Sequence, residues 1–162
     1  MKSLTLSLTQ LAITITRQLI NQLQKIYNGK AWHGPNILET LSTITSKETT
    51  ERIGSSNNIA ELLHHIYAWR IFVIKRFSGE HEFEVSDEFN FQRFETIDEK
   101  AWKHLKEQLA HSQEQLVETI EKFDPEKLSK EVSNRDYTYL DLLHGIIHHD
   151  LYHLGQIVLL RK

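Results

Sequence analysis

Apolar residues recur every three or four positions along most of this chain. The first series is Leu4, Leu8, Leu11, Ile15, Leu19, Leu23 and Ile26, which predicts a helix from Leu4 to Tyr27, ended by Asn28-Gly29. A short helix is expected from Asn36 to Ile44, with Pro35 in its first turn and Leu38, Leu41 and Ile44 docked on the core. Residues 46–57 are polar, contain Gly54-Ser55-Ser56-Asn57 and read as a loop. A second long helix starts at Asn58, which with Glu61 suits a reciprocal cap; Leu62, Ile66, Trp69 and Val73 form its inner face, and Ser78-Gly79 ends it. Residues 80–96 show no sustained period. They predict an irregular crossover pinned by Phe83, Phe89, Phe91 and Phe94, long enough to act as a lid. A third long helix is expected from Thr96, with Glu99 completing its cap and Trp102, Leu105, Leu109, Leu116, Ile120 and Phe123 buried. Asp124-Pro125 closes it, and one helical turn is expected within 125–130. Residues 138–162 read as a last helix with Leu142, Ile146, Ile157 and Leu160 inward.

These elements predict an all-α fold: one domain over residues 1–162, a four-helix bundle with one long crossover and short extra helices. Composition agrees, since two Pro and six Gly are too few breakers for many short strands. There is no cysteine, which removes disulfides, thiolate ligands and a cysteine nucleophile and fits a reducing, cytoplasmic setting. No apolar run reaches membrane-spanning length, and the polar residues spaced through residues 1–20 suit a first helix rather than a signal peptide. A net charge of −3 gives no reason to expect nucleic acid. Charge is uneven, however. Residues 1–38 carry Lys2, Arg17, Lys25 and Lys30 without a carboxylate, and residues 80–99 are strongly acidic, so the two segments face each other or solvate the surface; the alternative is an anion-binding N-terminal face.

The candidate chemistry lies where the apolar pattern of the last helix fails. His149 and His153 interrupt its inward stripe, one turn apart on one face. A helix burying that face gains nothing from two imidazoles unless they have partners. Residues at i and i+4 have Cβ atoms about 5–6 Å apart, which lets two imidazoles converge on one metal. Ten histidines in 162 residues make one such pair unremarkable, and the chain has a second, His144/His148, on the flank beside Asp141. His65 lies on the inner face of the second long helix and supplies a third nitrogen. Three imidazoles bind a borderline divalent ion and leave a coordination position open. His149-Asp150-Leu151-Tyr152-His153 differs from the HExxH metalloprotease helix by Asp for Glu, and nothing else supports that reading. A di-iron carboxylate site fails because the first helix has no carboxylate. Around the triad, Gln156 lies on the side of His153, and Asp150 is a supporting partner or a surface residue. Ser112 falls where the third long helix was due an apolar residue. It either bonds its own backbone or lines a cavity at the level of the histidines. His33 either caps the helix after it or, with Tyr152, borders the pocket.

Ala31-Trp32-His33-Gly34-Pro35, the run Asn58–Trp69 and above all His144–Ile157 with its HDxYHxGQI ending resemble the DinB-like (DinB/YfiT) superfamily of metal-binding four-helix bundles, over nearly the whole chain. The resemblance implies His65, His149 and His153 as ligands, with His64 and His148 as neighbours one register away. It also implies an activity among thiol-dependent transferases and isomerases using low-molecular-weight thiols, or among metal-dependent hydrolases. The expected function is therefore a metal-dependent thiol S-transferase or hydrolase acting on a small molecule. The alternative is a non-catalytic metal-binding or stress-response module. The ion is open among Zn, Ni, Mn and Fe. Any thiol comes from a cosubstrate, and a homodimer is expected to cover residual apolar surface.

Overall fold

The computed structural model describes residues 7–161. The fold is all-α: among the described residues there is no strand, only an isolated bridge between Glu131 and Thr138. Four long helices dominate: α1 (Leu8–Tyr27), α3 (Ile59–Phe77), α5 (Glu99–Lys122) and α6 (Tyr139–Leu160). Two short ones, α2 (Ile37–Ser42) and α4 (Asp87–Asn90), lie in the connections, with 3-10 turns at Ser46–Thr50 and Pro125–Lys127. Helix α3 packs on α5 and α6, and α1 packs on α6 and α5, so each long helix has two long neighbours.

Polar caps define where the helices begin. Asn36, Asn58 and Thr138 each accept from the third residue of α2, α3 and α6, and Glu39, Glu61 and Asp141 return the bond. Pro35 therefore precedes the cap of α2 rather than sitting in its first turn. The expected cap of α5 at Thr96 is displaced: Asp98 caps Ala101 N, and Glu99 instead binds Ser46 Oγ at 2.6 Å. The run Thr96-Ile97-Asp98-Glu99 offers two caps, and Asp is the stronger acceptor. Ser46 and Thr49 are consequently buried in a 3-10 turn, where a plain loop was expected.

The core is built from Leu19, Leu23 and Ile26 of α1, Ile59, Leu63, Ile66 and Val73 of α3, Trp102, Leu105, Leu109 and Leu116 of α5, and Leu143, Ile146, Leu154 and Ile157 of α6. Some expectations of burial fail. Leu38 is exposed while Leu41 and Ile44 are buried, and Leu8 and Leu11 stand in solvent, so the stripe of α1 closes only toward its C-terminal half. Leu4, the expected start, lies outside the described residues, as does Lys162. On α3 the inner register runs through Arg70 rather than Trp69, which is half-buried.

The crossover from Ser78 to Asp98 contains one helical turn, α4, and is held by its acids and its aromatics. Glu84 binds both Arg76 and Arg135, and Glu80 binds Lys75, so the acidic run is matched by cations of α3 and the loop before α6 rather than by α1. At its far end the buried Glu61 carboxylate takes both Arg52 nitrogens at 2.6 and 2.7 Å and the Phe94 amide. Burial alone would raise the Glu61 carboxyl, but its hydrogen bonds from Arg52, Asn58 and Phe94 outweigh that and hold it below the usual range. No described helix is long and apolar enough to cross a membrane.

Candidate metal centre

α3 and α6 bring His65, His149 and His153 together, with one nitrogen of each inside a span of 4.8 Å. His149 Nε2 and His65 Nε2 are 2.9 Å apart. The i,i+4 spacing puts the His149 and His153 ring centroids at 4.5 Å, and His65 lies 4.8 and 4.5 Å from them. His64, one residue away, points elsewhere: it is buried among Tyr67, Phe89 and Phe94. His144 and His148 are exposed on the opposite flank of α6.

The second nitrogens of two of the rings are already committed. His65 Nδ1 lies 3.2 Å from the Asn90 carbonyl, which can only accept, so that nitrogen carries the proton and Nε2 keeps a lone pair. His153 Nδ1 donates to Gln156 Oε1 at 2.7 Å with the same consequence. The Asn90 side chain accepts from Trp69 Nε1 at 2.9 Å, which fixes the turn of α4 that supplies this carbonyl. Phe91 then stacks flat on His65, 4.0 Å between centroids.

Burial, helped by the neighbouring imidazoles, pushes His65 down to about 4. Burial and His149 also push His153 down. Both rings are thus neutral near pH 7, the form that binds metal.

This donor set fits a divalent ion. Two nitrogens on one ion at about 2.1 Å each stand at most about 4.2 Å apart. The 2.9 Å pair satisfies that limit. The 4.8 Å span of the three needs a movement of less than about 1 Å. The lone pair of His65 Nε2 facing His149 Nε2 is satisfied by a cation or by a proton on His149, and a proton there would leave the buried His149 Nδ1 with nothing to donate to it. Three imidazoles without a fourth protein ligand among the described residues leave an open position. The way in is marked by His149, 22% exposed, and by Tyr152, which is exposed and packs edge-on against His153.

The remaining sequence candidates divide. Gln156 orients His153, and Asp150 is fully buried beside His149. Ser112 is buried, but its hydroxyl donates to the Leu109 carbonyl of its own helix at 2.7 Å; it is the back-bonded core serine, not the wall of a cavity at the histidines. His33 is exposed in the turn before α2 and has no bond or ring contact to the triad among the described residues; Asn36, not His33, caps that helix. Sequence reasoning missed Asn90, which no periodicity marks, and took Phe91 only as an anchor of the crossover, not as a neighbour of the triad. It also missed Arg70, which was readable: spaced with Leu63, Ile66, Val73 and Phe77, it puts a charge in the buried register of α3.

A family model described as the DinB superfamily matches residues 31–157. The chain belongs to the DinB superfamily. The match spans the turn before α2 through the last turns of α6 and therefore includes all three histidines. No curated protein and no solved structure matches the chain.

Proposed function

We propose that this protein binds one divalent ion through His65, His149 and His153 at the centre of a four-helix bundle, and uses the open position for thiol transfer or hydrolysis on a small molecule. The convergence of three imidazole nitrogens within 4.8 Å, in a chain of the DinB superfamily, carries the reading. An ion held there supplies Lewis acidity, favouring the deprotonated form of a water or thiol brought to it. The chain does the rest. Asn90 and Gln156 hold the proton of His65 and His153 on Nδ1, so both rings present Nε2. Phe91 closes the outer face of His65 against water, and substrate arrives on the side of His149 and Tyr152. The thiol belongs to a low-molecular-weight cosubstrate, because the chain has no cysteine. Asp150 is fully buried behind His149 with Oδ2 held by Arg70, and is not placed to serve as a general base to a substrate at the open position. A cysteine-free chain suits a cytoplasmic setting, and the exposed Leu8 and Leu11 suit a homodimer contact.

The test is His149→Ala. Its ring lies at the mouth of the site rather than in the apolar core, so the variant is expected to unfold at the parent's temperature while losing thiol-transfer or hydrolase activity in a substrate panel. Retained turnover refutes a catalytic role for the triad. Loss of the fold along with the metal makes the ion structural.

A further inference from the structure

Beside the triad lies an ion pair whose two side chains are both fully buried, Arg70 of α3 and Asp150 of α6. Arg70 Nε and Nη2 donate to the same oxygen, Asp150 Oδ2, at 2.9 and 2.7 Å. The guanidinium is fixed from two further sides: Nη1 lies 3.5 Å from the Leu109 carbonyl, which Ser112 also uses, and the Tyr27 ring lies 5.3 Å from its centre. With both donors on Oδ2, the other oxygen, Oδ1, is buried and has no partner. It stands 3.7 Å from His149 Nδ1, which is also buried and also has no partner.

The other two rings of the triad show what such an oxygen does. His65 has the Asn90 carbonyl at Nδ1, and His153 has the Gln156 amide oxygen at Nδ1. For His149 the candidate is Asp150 Oδ1, which at 3.7 Å has to close by about 0.7 Å to bond Nδ1, and of the three acceptors it alone belongs to a carboxylate. An acceptor on the far nitrogen fixes the tautomer of a ligating imidazole, and a carboxylate there strengthens the ligand. Stability gives little reason to keep the pair, since packed apolar residues commonly replace a buried ion pair without loss.

We infer that Arg70 is a positioning residue for the metal site: by holding Asp150 Oδ2 it turns Oδ1 toward His149 Nδ1, which keeps the proton of that ring on Nδ1 and presents Nε2 to the ion. This rests on the three-histidine reading above and names a residue outside the triad on which it depends.

The test compares the parent, Arg70→Met/Asp150→Leu and Arg70→Lys, using zinc alone as probe. The double variant removes both charges and keeps apolar volume. Its metal-free melting temperature is expected near the parent's, while its zinc Kd, by chelator competition, weakens roughly 10–100-fold. Arg70→Lys keeps the charge but loses the two-pronged hold, and is expected to fall between them. In the zinc-loaded parent the His149 Nδ1 proton should show the downfield shift of a carboxylate-bonded N–H, and this should move upfield in Arg70→Lys even if the double variant fails to fold. Parent Kd values and an unmoved proton in the variants overturn the assignment and leave the triad standing. A parent that takes up no zinc overturns the triad and the assignment with it.

Discussion

The centre of the molecule, between α3 and α6, buries two imidazoles and most of a third, with a guanidinium and a carboxylate, whereas the start of α1 leaves Leu8 and Leu11 in solvent. Both regions break the rule that apolar residues face in and polar ones out, but in opposite senses. At the centre His65, His153 and Arg70 all have hydrogen-bond partners, and the unpartnered His149 Nδ1 and Asp150 Oδ1 lie 3.7 Å apart, so much of the polarity there is organised. At the start of α1 the apolar residues border a groove with Pro125, Leu128 and Leu140, and nothing among the described residues covers them. Exposed leucines are common on protein surfaces, while buried charge is rare and must be compensated. The centre is therefore the informative region of the two.

The sharpest way to break this comparison is to remove one half of the buried pair. Arg70→Ala leaves Asp150 buried without its partner and is expected to cost about 3–5 kcal/mol in chemical denaturation. A cost under 1 kcal/mol would mean that the centre is not electrostatically organised. Next, Leu23→Ala, at a fully packed position of α1, should cost about 2–5 kcal/mol. Leu11→Ala on the same helix should change stability by less than about 0.5 kcal/mol. Equal costs would contradict the exposure of the helix start.

The comparison also shows what was legible in the sequence. The long helices were readable because their stripes hold for several turns, and the Asn58/Glu61 cap because its chemistry is local, whereas the Asn36 cap of α2 was passed over for His33. His149 and His153 stood out because they interrupt a stripe, and His65 because it lies within one. The lapses are of a different kind. The Thr96 cap lost to Asp98 two residues on, a choice settled by which side chain meets the helix end. Trp69 was preferred to Arg70 for the inner face because hydrophobicity outranked register, and tertiary pairing with Asp150 reversed that order. Asn90 and Phe91 reach His65 through the crossover, and long-range placement of an aperiodic segment leaves no local pattern.

The pH dependence of the metal-free protein separates the regions further. Folded His65 is depressed to about 4, while the unfolded ring titrates near its ordinary 6.5. The unfolded chain thus takes up this proton first. Stability is fully present above pH 6.5, is lost progressively as pH falls toward 4, and levels off below. His153 and His64, both pushed down chiefly by burial, act in the same direction. Urea midpoints at pH 7.5, 6 and 5 should fall in that order, and His65→Leu should flatten the decline. An unchanged midpoint would contradict burial of neutral imidazoles. The smallest effect is expected at His64, which faces aromatics rather than the triad: His64→Leu should leave the zinc Kd within about threefold, well short of the losses typical of groups that orient a ligand.

The most direct measurement is the metal content of protein purified without a histidine tag or a nickel column, by elemental analysis followed by titration of the stripped protein. One divalent ion per chain, absent from His149→Ala, is the predicted result. No stoichiometric metal as purified, and none taken up on titration, would contradict the assignment of His65, His149 and His153 as a metal site.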